Sequence, residues 1–294
     1  MKRKDRVTAA LEGRILDRPP CGEMTLSGLS QEDKMRLLRL LGADLVVVHL
    51  NPDFSGNEGL SSGFDELRYF QGSDYFVIAG IPGVFWQSVA ELTLEVAARM
   101  IKKEPEKYRR FLKEIRKRRE SLLERLAEFE VDGIFILDDL AGKNGPLFSP
   151  QALREFIFPE LKVLVNIIKK LGKPVFFHSD GLIKPILPDL LDLEVDVLHG
   201  FDGLDFEALK EIKEIIHGRA AFMGNFNLHF KANNAKSVLA NLRSVMELFA
   251  ESGYIFSSDG GVTPDSFENL VALYRYFHQF WEGENVRSHD NFMA

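Results

Sequence analysis

Residues 172–203, GKPVFFHSDGLIKPILPDLLDLEVDVLHGFDG, decide the fold class because they contain two strands with helical sequence between them. The apolar runs 175–178 and 197–199 are typical of strands that are buried on both faces. A strand, a helix and a second strand in this order predict a parallel pair joined by a crossover helix. Each run ends in a histidine, so the same stretch raises the question of a functional site.

The same alternation continues in both directions along the chain. The predicted strands are short and rich in Val, Ile and Phe, and they cover residues 20–24, 45–49, 75–79, 133–138, 175–178, 197–199, 220–224 and 254–257. Amphipathic helices are predicted between them, and we expect two long helices within 89–130. Pro159 should kink or split the helix that follows Ser149.

Eight strand–helix units favour an α/β fold of the (β/α)8 TIM-barrel type over an open doubly wound sheet. The sequence has no internal repeat and no low-complexity linker. We therefore predict a single barrel domain over residues 1–294, with a loose C-terminal tail over 283–294.

Composition narrows the class of protein. A chain of 294 residues that is 45% hydrophobic can bury a large single core, and its net charge of −7 argues against a nucleic-acid partner. The apolar runs are too short to cross a bilayer, and the N-terminus lacks an apolar signal-peptide core. The single cysteine, Cys21, excludes an internal disulfide and a thiolate-rich metal cage. We expect a cytoplasmic protein without a membrane partner.

The carboxyl ends of barrel strands are where such folds place their active sites. Acids, amides, hydroxyls and histidines concentrate at the predicted strand ends: Glu23, His49, Asn51, Asp138, Asp139, His178, Asp180, His199, Asp202, Asn225, Ser258 and Asp259. A structural scaffold has little need for so many ionisable groups around one opening. The pattern predicts a functional site at this rim.

His178 and Asp180 form the clearest candidate pair, because residues two apart in an extended chain point to the same side. Imidazole nitrogen and carboxylate oxygen both suit a divalent ion such as zinc. Asp259 is a further candidate, although Asp-Gly is also a turn dipeptide. Asp138 and Asp139 either face the site or cap the next turn, and the other histidines either line the pocket or are satisfied loop residues.

Other chemistries lack their sequence signatures. The chain has no G-x-G-x-x-G after a strand, no G-x-x-x-x-G-K-[ST] and no G-x-S-x-G. A dedicated nucleotide cradle is therefore not predicted.

Four blocks of the sequence resemble the uroporphyrinogen decarboxylase superfamily, which includes the cobamide-dependent methyltransferases. They are DRVTAALEGRILDRPP at 5–20, DDLAGKNGPLFSPQALREFIFPELKVLV at 138–165, the stretch 172–203, and GYIFSSDGGVTPDSFENLVALY at 253–274. The blocks occur in the family's order. Members are (β/α)8 barrels, and the resemblance implies this fold here. The family is often dimeric, and the sequence leaves open whether this chain forms a homodimer.

The decarboxylase branch differs from this chain at two places. Its members have an arginine-rich segment after the first strand, whereas CGEMTLSGLSQEDK at 21–34 has none, and no arginine lies between Arg18 and Arg36. They also carry a histidine where Gly260 stands here. A porphyrinogen with many carboxylates needs cationic partners, so both differences argue against that reaction.

The methyltransferase branch has His-x-Cys-Gly after the fifth strand and a further cysteine after the eighth, and these residues hold zinc. HSDG keeps His178 and places Asp180 at the first cysteine position, while the second aligns with Gly260, beside Asp259. The resemblance therefore implies either a zinc site formed by His178, Asp180 and Asp259, with Glu23 as an alternative ligand, or a relative that has lost zinc. It also implies a corrinoid carried by a separate protein.

On this interpretation a methyl group moves between the corrinoid and a small methyl donor or acceptor. The residues expected to act in catalysis are Asp139, Glu23 and His178, and those expected to bind substrate are Asp138, His199, Asn225 and His49. Two alternatives stay open. One is a metal-free decarboxylase in which Asp139 or Glu23 stabilises a protonated pyrrole ring, and the other is a non-catalytic barrel that binds a partner.

Overall fold

The structure is a computed structural model that describes residues 1–14, 16–26, 29–50, 58–201, 204–226, 235–249, 253–258 and 266–290. Within these residues, seven parallel strands form one curled sheet in the order β1-β2-β3-β6-β7-β8-β9, and β4 pairs with β5 in a small antiparallel hairpin. The strands are β1 Leu45–His49, β2 Phe76–Pro82, β3 Gly133–Leu137, β4 Ala141–Gly142, β5 Gly145–Pro146, β6 Val175–Ser179, β7 Val197–Gly200, β8 Ala221–Gly224 and β9 Tyr254–Ile255.

Helices flank the sheet along the whole described chain. They are α1 Arg3–Leu11, α2 Gln31–Leu40, α3 Glu58–Phe70, α4 Val84–Leu92, α5 Leu94–Lys103, α6 Pro105–Leu126, α7 Pro150–Ala152, α8 Phe158–Lys170, α9 Leu187–Asp192, α10 Phe206–Ile216, α11 Ala235–Phe249 and α12 Phe267–Asp290. None of those described combines the length and the apolar character that a membrane span requires. The architecture is an α/β fold of the TIM-barrel-like type.

Alternation along the strands divides the core into two clusters. The inner cluster lies on the concave face of the sheet and contains Leu45, Val47, Phe76, Ile78, Phe135, Phe176, Val197, Ala221, Met223 and Ile255, with Val7 of α1. The intervening residues, such as Val46, Ile134 and Phe177, pack with the helices in the outer cluster. Burial on both faces explains why the strands read as continuous apolar runs.

The first predicted strand, 20–24, is not a strand in the structure. Cys21 makes only an isolated parallel bridge to Phe256. The backbone N–H of Gly22 donates to the Phe256 carbonyl at 3.0 Å, and that of Asp44 donates to the Cys21 carbonyl at 2.7 Å. Pro20 has no N–H to donate, which limits the ladder that this segment can form. Residues 20–22 nevertheless bond to both edges of the sheet.

The stretch 89–130 was expected to hold two helices, whereas the structure divides residues 84–126 into α4, α5 and α6. Thr93 ends α4 with a φ of 71° and caps α5, since its hydroxyl accepts from the Val96 N–H at 3.4 Å. Pro105 lies in the first turn of α6, the helix position that tolerates proline best. The break signals were thus a capping threonine and a proline inside an otherwise helical pattern.

Pro159 splits its helix as predicted. A π-helical turn, Leu153–Ile157, separates α7 from α8. Proline cannot donate to the carbonyl four residues earlier, which is that of Glu155. Arg109 of α6 donates to this carbonyl instead, at 2.8 Å. At the other end of the chain, α12 continues to Asp290, so residues 283–290, expected in a loose tail, are helical here.

Candidate active site at the carboxyl ends of the strands

The inner faces of the strands lead directly to the polar residues at the rim. Counting by twos from the inner core, Val47 is followed by His49, Phe135 by Leu137 and Asp139, Phe176 by His178 and Asp180, and Val197 by His199. These side chains therefore lie above the apolar inner core, at the carboxyl ends of neighbouring parallel strands. This is the edge at which a sheet of this kind binds its substrates.

Asp139, His178 and Asp180 form a compact cluster. His178 Nε2 lies 3.4 Å from Asp139 Oδ1 and 3.8 Å from Asp180 Oδ1, and one potential ligand atom from each residue lies within 4.8 Å of the others. His178 is buried, Asp139 is half-buried and Asp180 is exposed. The cluster thus extends from the protein interior to solvent, as a site open to a small ligand must.

Two connections hold the acidic residues in place. The Asp180 N–H donates to Asp139 Oδ1 at 3.0 Å, and the Leu140 N–H donates to Ser179 Oγ at 2.9 Å. Next to them, Gly181 has a φ of 82°, and a Cβ there would lie 2.7 Å from the backbone of the β4–β5 hairpin. A side chain at 181 would therefore be strained and would displace the turn that carries Asp180.

His178 also contacts a second buried histidine. Its Nδ1 lies 2.9 Å from His199 Nδ1, and His199 Nε2 lies 3.3 Å from the Ser258 carbonyl oxygen. His199 is 1% exposed, and its burial holds its pKa well below the ordinary histidine value. His199 is therefore neutral at physiological pH.

Glu23 reaches this network from the other edge of the sheet. Its carboxylate accepts from the Ser258 N–H at 3.1 Å, from the Ser258 hydroxyl, and from the Tyr274 hydroxyl at 2.7 Å. The side chain is 2% exposed, and burial raises its pKa. Ser258 thus links Glu23 to His199, a connection that no local sequence pattern indicated.

Asp138 lies on the opposite face from Asp139. It is predicted from the sequence to contact substrate, but its carboxylate accepts from the N–H groups of Phe85 at 3.2 Å and Trp86 at 2.6 Å, in the first turn of α4. Gly83 precedes this turn, and a Cβ on it would lie 2.1 Å from Asp138 Cγ. Burial raises the pKa of Asp138 to about 7. Asp138 is therefore a helix cap supplied by a neighbouring strand.

Two further predicted residues lie at the same rim. His49 Nε2 is 2.8 Å from the Met24 carbonyl, and its Nδ1 lies on the side of Gly80, where an added Cβ would be 3.3 Å away. Burial lowers the pKa of His49, so this ring is also neutral. Asn225 is buried directly after β8 and has a φ of 74°. Asp259, the third predicted metal ligand, lies outside the described residues, as do Asn51 and Asp202.

The family profile described as uroporphyrinogen decarboxylase (URO-D) matches residues 86–280. The chain belongs to this family. A search of curated protein sequences gave no match.

Solved structures share the fold at low sequence identity. A methyltransferase from Methanosarcina mazei has a TM-score of 0.78 at 18% identity, covering 96% of this chain and 99% of its own. A protein from Listeria monocytogenes, described as a candidate vitamin-B12-independent methionine synthase, has a TM-score of 0.58 at 13% identity. The match covers 91% of this chain and 98% of that protein. A 3-keto-D-glucoside 4-epimerase from E. coli has a TM-score of 0.50 at 13% identity, and the match covers 88% of this chain and 98% of that protein. These neighbours include different chemistries, so the likeness establishes the fold and not the reaction.

Proposed function

We propose that this protein is a methyltransferase that moves a methyl group between a small substrate and a corrinoid held by a separate protein, using a divalent metal at the strand ends. The observation that carries the proposal is the cluster of Asp139, His178 and Asp180 above the inner core. The full-length structural similarity to the M. mazei methyltransferase supports methyl transfer as the reaction.

The donor set fits a metal. Two carboxylate oxygens lie within 4 Å of one imidazole nitrogen, an arrangement that a cation bound between the groups would stabilise. Three protein ligands with a position open to solvent are typical of catalytic zinc, although nitrogen and oxygen donors also suit other divalent ions. We place Asp139 in the ligand set with His178 and Asp180. Glu23 is left out because Ser258 and Tyr274 already occupy its carboxylate.

A divalent ion at this position would supply Lewis acidity toward a bound oxygen, nitrogen or sulfur atom. Carboxylate ligands leave such an ion more electrophilic than thiolates do. This favours a methylated oxygen or nitrogen compound as methyl donor over a thiol as acceptor. The chain's own contribution is to hold that atom at the cluster, with His49 and Asn225 as the proposed substrate contacts beside it.

The same rim offers a surface for a partner protein. The described chain exposes several large apolar side chains. Six of them lie in the parts of the chain that come after a strand or after the segment 20–22: Leu29, Trp86, Leu147, Leu182, Phe206 and Phe267. From this order in the chain we expect them on the side of the sheet that carries the site, and exposed apolar groups on one face are typical of a protein contact. They support docking of a corrinoid protein over the site.

We also propose that the sheet closes into a (β/α)8 barrel, with residues 20–22 in the place of the eighth strand. The support is the set of main-chain bonds that this segment makes to Phe256, after β9, and to Asp44, before β1. The side chain of Asp44 strengthens this junction, since it accepts from the Cys21 N–H at 2.9 Å and pairs with Arg6 and Arg18.

The decarboxylase alternative has weaker support. A polycarboxylate substrate needs free cationic groups, but Arg18 is paired with Asp44 at 2.7 Å, and the Arg36 side chain is 82% exposed on α2. The rim instead presents the two carboxylates of Asp139 and Asp180, which would repel such a substrate.

The test uses protein purified without a histidine tag. We expect zinc titration to give one site per chain in the wild type and none in His178→Ala. With zinc bound, anaerobic incubation with cob(I)alamin and a panel of O- and N-methyl compounds should produce methylcobalamin, measured by its absorbance. His178→Ala, checked for native circular dichroism, is the matched control. Decarboxylation of uroporphyrinogen by metal-free protein would refute the proposal.

A further inference from the structure

The contact between His178 and His199 constrains where the ring protons lie. The chain of contacts runs from the Ser258 carbonyl through both rings to the carboxylates. A carbonyl oxygen can only accept, so the 3.3 Å contact requires an N–H at His199 Nε2. The ring is 1% exposed, where an uncompensated charge is costly, so it is neutral with a single N–H and His199 Nδ1 is an acceptor.

The next contact then has only one consistent assignment. His178 Nδ1 lies 2.9 Å from His199 Nδ1, so His178 must donate from Nδ1. When His178 is neutral, its Nε2 has no proton and presents a lone pair toward Asp139 and Asp180. An isolated histidine side chain prefers the opposite tautomer, with the proton on Nε2, so the protein has to impose this one.

The surroundings of His199 keep this assignment in place. The ring is 1% exposed and packs against Phe135 in a T-shaped arrangement, with 5.7 Å between the ring centroids. Among the described residues, its polar contacts are His178 on one side and Ser258 on the other. Ser258 is itself held by Glu23, which accepts from its N–H and its hydroxyl. A turned or protonated His199 would lose its bond to the carbonyl or place an uncompensated charge in the interior.

We infer that His199 is a positioning residue that fixes His178 as the Nδ1–H tautomer, so that Nε2 is the nitrogen available to a divalent cation. The metal-binding consequence rests on the proposed function, whereas the tautomer assignment does not. A histidine that binds a metal commonly donates its other N–H to a fixed acceptor, and loss of that acceptor weakens metal binding by about 10- to 100-fold. Here the acceptor is His199 Nδ1.

Two substitutions separate positioning from packing. His199→Gln keeps an acceptor for His178 and a donor for Ser258, whereas His199→Leu has a similar volume and neither group. Long-range ¹H–¹⁵N correlation spectra of metal-free, ¹⁵N-histidine-labelled protein report the tautomer of His178 at mildly alkaline pH. We expect the Nδ1–H form in the wild type and in His199→Gln, and a shift toward Nε2–H in His199→Leu, because the carboxylates then become the available acceptors.

Zinc alone is the probe for the second measurement, by competition with a chelator. We expect an affinity about 10- to 100-fold weaker in His199→Leu than in the wild type, and largely restored in His199→Gln. An Nε2–H tautomer in the wild type, or a His199→Leu protein that matches the wild type in both measurements, would overturn the inference. A wild type that shows the Nδ1–H tautomer but binds no zinc refutes the metal site of the proposed function and upholds the positioning by His199.

Discussion

Asp138 and Asp139 are adjacent in the chain, yet their removal should affect different properties. Asp138 is fully buried and accepts two N–H groups of α4 at 3.2 and 2.6 Å. In Asp138→Ala these groups lose their acceptor, and each buried unpaired group costs about 1–3 kcal/mol. Because the first turn of a helix can recover part of this loss, we expect the free energy of unfolding to fall by about 2–4 kcal/mol. Zinc affinity should stay close to that of the wild type.

Asp139→Ala is the matched variant at the next position. Asp139 is half-buried, and its one hydrogen bond in the cluster comes from the Asp180 N–H, which can turn to solvent. The loss in unfolding free energy should therefore stay below about 1 kcal/mol. Zinc affinity should fall by at least about 100-fold, because a direct ligand is lost and not an outer partner.

Urea denaturation of the metal-free proteins measures the first property, and chelator competition under native conditions measures the second. The contrast between the two variants is the decisive result, since both remove one carboxylate from the same loop. The reasoning is refuted if Asp139→Ala is the less stable of the two, or if folded Asp138→Ala binds zinc as weakly as Asp139→Ala does.

Three further outcomes test the packing around the site. Burial raises the pKa of Asp138 from 3.8 to about 7, so the folded state holds this proton more tightly than the unfolded state does. The stability of the wild type relative to Asp138→Asn should therefore fall as pH rises from about 4 to about 7. A difference in unfolding free energy that stays constant over this range would contradict the raised pKa. Gly83→Ala should lower the free energy of unfolding, measured by urea denaturation, by about 1–3 kcal/mol, because its Cβ would lie 2.1 Å from Asp138 Cγ. Tyr274→Phe removes the hydroxyl that donates to Glu23 and should lower the free energy of unfolding by about 1–2 kcal/mol, and unchanged stability would argue that this bond contributes nothing.

Much of the sheet was predictable from sequence because its strands are buried on both faces. The predicted strand 45–49 coincides with β1, and 197–199 differs from β7 by one residue. The segment 20–24 was wrongly predicted as a strand. Its residues are buried against both edges of the sheet, but they form only an isolated bridge and not the hydrogen-bond ladder that defines a strand. The apolar composition of a short segment indicates that it is buried, but it does not distinguish a strand from an isolated bridge between two residues.

The site was predictable only in part. His178 and Asp180 could be paired from their spacing, and the same count from Phe135 would have placed Asp139 inward and Asp138 outward. The contact of Glu23 with Tyr274 joins residues 251 positions apart, and no local pattern encodes it.

These contacts connect the candidate site to the segment 20–22, which bonds to Phe256 and Asp44. Glu23 follows the segment that bonds to Phe256, and it holds Ser258, two residues beyond Phe256. The Ser258 carbonyl contacts His199 Nε2, and His199 Nδ1 contacts His178 Nδ1, the contact from which we infer the tautomer of His178. A disturbance at the segment 20–22 should therefore reach His178 Nε2, the proposed metal ligand, without any change in the residues that surround this nitrogen. For this reason the segment 20–22 and the residues after β9 matter to the candidate site as much as the strands that carry the proposed ligands.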